Sequence, residues 1–383
     1  MTKSLLSALI CLGIGFTWQA LTVHYNRDGN WNALFLTGSR FPVPPALASE
    51  KLYVFPDSAG YDGQMYHYIA HDPLMRHGFA KFIDSPRLRY RRILLPASAF
   101  LMALGQQAAI DKCFIACNLL FLFLGAWWVA RYFVLSGLSA FWAVLFVAVP
   151  AAVTSLDRLT VDLALTSLAM GFAYYAKIEA RWKLYAVLVA AGLCRETGII
   201  LIVAYCLSRL LQHRYTQTVF YSTAVLPTVV WYLYVNSRTE AILGSWFRVP
   251  FSGIATWAMH PFPYQYSAAV NALILGLEYL SMAGVVLACV LAVLMLFRNP
   301  FGPLEIAAAL FTGLAVCFNE GFYQDALGGG RVLSPLLIFL ILANAANLSV
   351  VWCLPLLMVA MRTWLQLLSP FLSIAKSILH RGS

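Results

Sequence analysis

The sequence predicts an all-α polytopic membrane protein, one integral domain over residues 1–383. Three observations predict it. Hydrophobic residues make up 61% of the chain and charged residues only 11%, and apolar runs of about 20 residues, enough to span a bilayer, recur along most of its length. Lys/Arg clusters and acidic residues segregate into alternating sets of loops. The one long polar stretch, 24–112, follows directly on the first apolar run. About 9–11 transmembrane or re-entrant helices are expected, with a large first outer loop carrying juxtamembrane helices.

The elements follow in order from hydropathy, oriented by basic residues. Leu5 to Leu21 follows Met1-Thr2-Lys3 and lacks a small-residue cleavage site after it, so an uncleaved first span is expected rather than a signal peptide. Further spans are expected near 113–133, 140–155, 159–176, 217–235, 271–297, 304–318, 332–349 and 351–368. Lys177, Arg181, Lys183, Arg209, His213, Arg214 and Arg298 mark the inner side. Asp57, Asp62, Asp72, Asp84, Asp157, Asp162, Glu240, Glu320 and Asp325 mark the outer side. The tail from Arg362 onward reads as amphipathic.

Two segments break this parity. Residues 92–110 are short and contain Pro96, so a helix lying at the outer interface is expected. Residues 184–209 carry basic charge on both flanks and would make only about 39 Å of helix, too little for two crossings. A re-entrant helical hairpin is expected there, with Arg195 and Glu196 at its tip facing a polar cavity.

Composition also excludes. The net charge of +10 fits inner-side basic residues and lipid headgroups; no basic cluster sits on a soluble fold, so no nucleic-acid partner is expected. The eight cysteines lie in or at the edge of apolar segments and lack zinc spacing. Walker A, GxSxG, HExxH and dinucleotide-binding fingerprints are absent from the sequence.

The candidate chemistry concentrates in the outer segments. Gly60 and Gly63 bracket Tyr61-Asp62, a turn feeding an aromatic-rich helix over Gln64–His71. Asp62 then lies at the helix start, where a carboxylate is favoured, or serves as a base towards an acceptor hydroxyl. Tyr61, Gln64, Tyr66 and His67 would contact substrate. His67 and His71, four apart with Asp72 adjacent, could bind a metal, with Mg or Mn as the candidate divalent cation. Asp162 is four residues past Arg158, so a local pair is expected, with Asp157 beside it. Arg91, Arg195 and Glu196 are further binding candidates. Gly328-Gly329-Gly330 precedes Arg331, and the pair reads as a loop offering free N–H groups and a guanidinium fork to an anion.

These motifs resemble the GT-C class of membrane glycosyltransferases, which use polyprenyl-phosphate-linked sugars. Tyr61-Asp62-Gly63-Gln64 is similar to that class's early Trp-Asp element, with Tyr in place of Trp. Tyr90 to Pro96 looks like its juxtamembrane helix, Asp157-Arg158 with Asp162 like its later acidic element, and Arg331 to Pro335 like its C-terminal Arg element. More narrowly, Tyr61-Asp62-Gly63-Gln64, Asp84-Ser85-Pro86 and Arg195-Glu196-Thr197 resemble a bacterial family linked to cell-surface glycopolymer formation. The resemblance implies a multi-pass bacterial inner-membrane enzyme with a periplasmic active site, Asp62 as general base and Arg331 on the donor phosphate. Its partners would be a polyprenyl-phosphate sugar donor, membrane lipids and a glycan or lipid acceptor. Two alternatives belong to other classes: a lipid-linked saccharide carrier or flippase, and an accessory subunit of a polysaccharide synthase.

Overall fold

In the computed structural model, which describes residues 2–48, 50–240, 247–262 and 264–381, the chain is all-α and polytopic. Helix α1 (Thr2–Asn26) is followed by a loop layer whose only sheet, among the described residues, pairs β1 (Thr37–Gly38) with β2 (Val54–Phe55) in parallel. The loop layer continues through α2 (Asp62–His71), α3 (Pro86–Arg91) and α4 (Leu94–Met102). Leu101, Met102 and Leu104 are exposed at the end of α4. A short helix with an exposed apolar end fits the interfacial reading of 92–110.

The bundle then runs through α5 (Gln107–Leu135), a 3-10 segment Ala140–Ala148 bent by 54° against α6 (Pro150–Arg158), α7 (Asp162–Lys177), α8 (Arg181–Cys194) and α9 (Ile199–Leu211). Next come α10 (Tyr215–Ser222), α11 (Leu226–Arg238), α12 (Ser252–Met259), α13 (Ala268–Arg298), α14 (Pro303–Cys317), α15 (Glu320–Gln324), α16 (Gly328–Ala343) and α17 (Val350–Arg381). Among the described residues, five helical segments are long and apolar enough to cross a membrane, six if the bent pair is one span. These are α1, α5, Tyr215–Arg238, α13 and the part of α17 from Val350 to Leu379. Large side chains such as Leu233, Val230 and Phe297 stand exposed on them, as expected where lipid rather than water is the solvent.

The bundle has two chemically distinct ends. At the basic end, Glu179 pairs with Arg209 at 3.6 Å and Arg214 at 3.4 Å, and Lys177 donates to Ser136 at 2.6 Å. At the loop end, Tyr234 donates to the Leu74 carbonyl at 2.6 Å, and Arg87 bonds to Asn236 and Thr239. Asn26 donates to the Pro370 carbonyl at 3.1 Å, which brings the second half of α17 to the loop end as well. Arg362 on α17 meets Glu278 on α13 at 3.1 Å, both buried, so the pair ties two long helices together.

The 184–209 region is two short helices, α8 and α9. Helix α8 packs on α7, α9 on α14, and the break at Arg195–Gly198 lies at the loop end beside Asp162. Gly198 closes the turn: a Cβ there would overlap the Ala191 carbonyl group.

One expectation is corrected. The glycine run 328–330 is not an open loop but the first turn of α16, because Gly328 and Arg331 donate to Asp325 and Leu327 carbonyls and packing offsets the poor helix propensity of glycine. A Cβ on Gly330 would press on Pro150, Val359 and Thr363, so close packing of three elements explains the small residue there. The stretch from Arg362 onward continues the last span as one helix, Val350–Arg381, through Pro355 and Pro370.

The tip geometry gives a test. Gly198→Val should lower the unfolding temperature of the detergent-purified protein and cost at least about 1–3 kcal/mol, the range for overpacking. Gly276→Val, at a position with open space around the added carbon, should change it far less.

Candidate functional site

The site assembles where the loop layer meets α7, α16 and the α8–α9 tip. Gly60 has φ +72°, and Tyr61 behind it is extended. The turn leaves Asp62 as the first residue of α2, where the helix dipole favours a carboxylate. The Asp62 side chain is about 15% exposed and is held from both sides. Arg331 Nη1 reaches its Oδ2 at 2.7 Å and Arg89 Nη1 reaches its Oδ1 at 2.9 Å.

A network spreads from this pair. Arg331 also lies 3.3 Å from Asp162 Oδ2, and Arg195 ion-pairs with the other oxygen of Asp162. Arg195 Nε approaches Glu196 at 3.7 Å, and Glu196 takes a two-pronged bond from Arg92. Arg92 donates to the Tyr66 hydroxyl at 2.9 Å. Arg89 makes a second fork to Asp84, at 3.0 and 2.8 Å. Tyr61 donates to Asp325 at 3.0 Å, and the Arg158 and Arg331 guanidiniums lie over its ring at 4.9 and 5.0 Å.

Electrostatics follow from this geometry. Burial works against the ionised Asp62, but Arg331, then Arg89 and Arg92, outweigh it and hold the carboxyl well below the usual carboxylate range. Burial pushes the Tyr61 phenol far up, so it stays neutral. For Arg89 burial again opposes the charge, and Asp62 with Asp84 reverses the effect and keeps it protonated. The Nε atoms of Arg331 and Arg195 are buried and make no hydrogen bond. Such donors, with so many guanidinium forks, could receive an oxyanion that competes with the carboxylates.

Of the residues expected from sequence, Tyr61, Asp62, Tyr66, Asp162, Arg195, Glu196 and Arg331 come together. Arg158 and Asp157 sit at the edge: Arg158 covers Tyr61 and pairs with Asp157 at 3.3 Å. The expected Arg158–Asp162 pair is therefore corrected. Leu159, at φ +44°, ends α6 between them, and Asp162 starts a new helix facing Arg195 and Arg331.

Four further candidates lie elsewhere. Gln64 is wholly buried, accepts from Gly38 at 3.0 Å and donates to Tyr68, so it braces the loop. Arg91 turns to Asn236 and the Tyr232 ring. His67 points away from Asp62, to a group around Asp111. Asp72 is no metal ligand: it ends α2 and caps the following turn by accepting from the backbone of Arg76 and His77 at 2.7 and 2.9 Å.

Sequence reasoning missed Arg89, Arg92, Asp84 and Asp325. A signal existed for the first two. On the short helix Pro86–Arg91 and its cap, residues 89 and 92 are three apart and share a face, while Arg91 does not.

Fold and site define the class: a membrane-embedded all-α protein with a buried arginine–carboxylate network at the loop end of its bundle. No family model matches the chain, and no curated protein or solved structure matches it.

The network predicts unequal roles for its two central carboxylates. In Asp62→Asn, Arg331 keeps Asp162 and Arg89 keeps Asp84, so the fold should survive with a loss of about 1–2 kcal/mol. In Asp162→Asn, Arg195 keeps only the 3.7 Å approach to Glu196. An uncompensated buried charge should cost about 3–5 kcal/mol, read as a larger fall in thermal stability. The Asp62 contribution has a definite sign with pH. Its folded pKa is depressed, so its stabilisation is present above the ordinary Asp range and fades as pH falls through that range towards the folded value.

Proposed function

We propose that this protein is an inverting membrane glycosyltransferase of GT-C type. It moves a sugar from a polyprenyl-phosphate donor to a cell-envelope glycan or lipid acceptor. The observation that carries the proposal is the convergence of Arg89, Arg92, Arg195 and Arg331 on Asp62, Asp162 and Glu196 at one end of a membrane-embedded bundle. Charges buried within the protein are costly and cluster at functional sites, and planar guanidinium forks suit a phosphate. The short motifs similar to the GT-C class support the same reading. It places the protein in a bacterial inner membrane with the loop end facing the periplasm.

The donor lies in the outer leaflet with its phosphate on Arg331 and Arg89. As resting partners of Asp62, these two guanidiniums make its carboxylate a poor base. The incoming phosphate competes for them and loosens both pairs, which returns Asp62 towards ordinary carboxylate basicity. Asp62 then accepts the proton of the acceptor hydroxyl. The hydroxyl oxygen forms a bond to the anomeric carbon, and the bond from that carbon to the phosphate oxygen breaks. Its electron pair leaves with the polyprenyl phosphate, whose charge Arg331 and Arg195 stabilise.

The completeness of the ion pairing also favours a second reading, a non-catalytic carrier of lipid-linked saccharides. A carrier needs the anion site but not a strong base.

Purified protein assayed with a panel of polyprenyl-phosphate sugars separates the two. Transfer by wild type is expected, with Asp62→Asn reducing kcat by at least about 100-fold at unchanged expression. Donor binding by both proteins with transfer by neither would favour the carrier. Arg331→Lys should weaken donor binding by roughly 10-fold or more, because a point charge replaces a fork.

The pH profile gives an independent check. In the free enzyme Asp62 is held ionised, so kcat/KM should show no acidic limb at the ordinary carboxylate position, about pH 4. In kcat, which reports the donor complex, a limb should move up towards that position. A limb at the ordinary position in kcat/KM would remove Asp62, paired as it is, from the role of base.

A further inference from the structure

A second cluster lies on the far part of α2 and serves no step of the proposed transfer. His67 and His71, one turn apart, face Asp111 on α5 and Glu50 from the loop after Leu47. One ligand atom from each of the four lies within 4.8 Å of all the others. His67 Nε2 is 2.8 Å and His71 Nε2 is 3.0 Å from the same oxygen, Asp111 Oδ1. Glu50 carboxylate oxygens lie 4.0 Å from His67 Nε2 and 3.8 Å from His71 Nδ1.

Three details separate this group from an ordinary buried hydrogen-bond network. His67 is fully buried, yet neither ring nitrogen makes a properly directed hydrogen bond, and Glu50 Oε2 makes none either. Nε2 keeps its close approach to Asp111, but a buried imidazole nitrogen with no partner, as Nδ1 is, is costly. The His67 ring is fixed in place by stacking on Phe35, with centroids 4.2 Å apart and planes 16° apart. His71 Nδ1 lies 2.6 Å from Gln107 Oε1. That contact makes Nδ1 the donor and leaves the Nε2 lone pair directed at the cluster, the outer-shell arrangement by which metal-binding histidines are oriented.

We infer that Glu50, His67, His71 and Asp111 form a binding site for one divalent transition ion of the zinc class. Two neutral imidazoles and two carboxylates carry the charge that balances a dication. They also match the donor set and coordination number of zinc rather than the oxygen-rich octahedron of magnesium. Ligand atoms around a tetrahedral zinc are roughly 3.3 Å apart. Asp111 already stands near that spacing from each histidine, and Glu50, on a loop and 4.0 Å from His67 Nε2, closes by roughly 0.7 Å. A recess of about 490 Å³ lined by Trp31, Glu50, Lys51, Gln107, Asp111 and Lys112 opens on the cluster and gives an ion access. The ion would join three segments distant in sequence: the loop, α2 and α5. Its role is to fix the helix that begins at Asp62, and the site stands whether or not the protein transfers sugar.

The test uses the purified full-length protein in detergent, stripped with a chelator, desalted, then offered Zn²⁺ alone. The readouts are metal content by mass spectrometry and thermal unfolding. Wild type should retain about one zinc per chain and gain roughly 5 °C or more in Tm. Glu50→Gln and Asp111→Asn should each bind at least about 10-fold more weakly and lose that gain. Asp62→Asn, outside the cluster, should retain full zinc, which separates this site from the proposed active site. Cobalt loaded in place of zinc should give a four-coordinate ligand-field spectrum in wild type that both ligand variants lose. Wild type holding less than about a tenth of an equivalent, ligand variants binding as tightly as wild type, or Mg²⁺ giving the same shift as Zn²⁺ would each overturn the assignment.

Discussion

The interaction on which the rest depends is the shared guanidinium of Arg331. From the first turn of α16 it reaches Asp62 on the loop layer and Asp162 at the start of α7. Asp162 passes the connection to Arg195 at the α8–α9 tip, and Glu196 passes it to Arg92. Four segments far apart in sequence are thereby held in one place. A membrane bundle has little hydrophobic force to set this arrangement, since lipid tails are as apolar as its own side chains. Buried ion pairs add little net stability, because desolvation offsets attraction. Their effect here is register, since no one of the four segments can shift without stranding a charge.

Much of this was legible in the chain, and the pattern of what was not is instructive. The long spans could be read because each carries its own signal of apolar length bounded by charge. The α8–α9 hairpin could be read because basic residues on both flanks force an even number of crossings. Asp62 at a helix start followed from the glycines that bracket it. The glycine run before Arg331 was misread as a loop, because propensity favours a loop and the packing of Gly330 against Pro150, Val359 and Thr363 is invisible locally. The partner of Asp162 was misread for the same reason: a neighbour four residues away was at hand, whereas the true partners are Arg195 and Arg331. Glu50 and Asp111 were missed because nothing in the chain brings them to His67. Sequence proximity offered Asp72 instead, and Asp72 is occupied in capping the turn after α2.

The two polar groups of the loop end divide α2 between them. Its first residue belongs to the arginine network, and its second and third turns, with His67 and His71, belong to the Glu50–Asp111 cluster. Ten residues of helix are about 15 Å long, too short to bend appreciably, so fixing one end constrains the other. A helix this short is marginal by itself in water, and in this chain it is buried from Gly63 to His71.

That arrangement bears on how a carboxylate pinned by two arginines could act as a base. If α2 were free, a phosphate drawing Arg331 and Arg89 away would also release the helix that carries Asp62, and the carboxylate would drift with the arginines. With the far turn anchored on α5, the guanidiniums can move while Asp62 stays. Arg89 lies on α3 and Arg331 on α16, so both forks are mounted on elements other than the helix they hold. In the proposed complex the loss of two ion pairs would be partly offset by new bonds to the phosphate, and the remaining cost would fall on donor binding. On the proposed reading, a site built this way would keep its base silent until the anion arrives. It would also link the depressed basicity of Asp62 to discrimination between a phosphate-linked sugar and a neutral one.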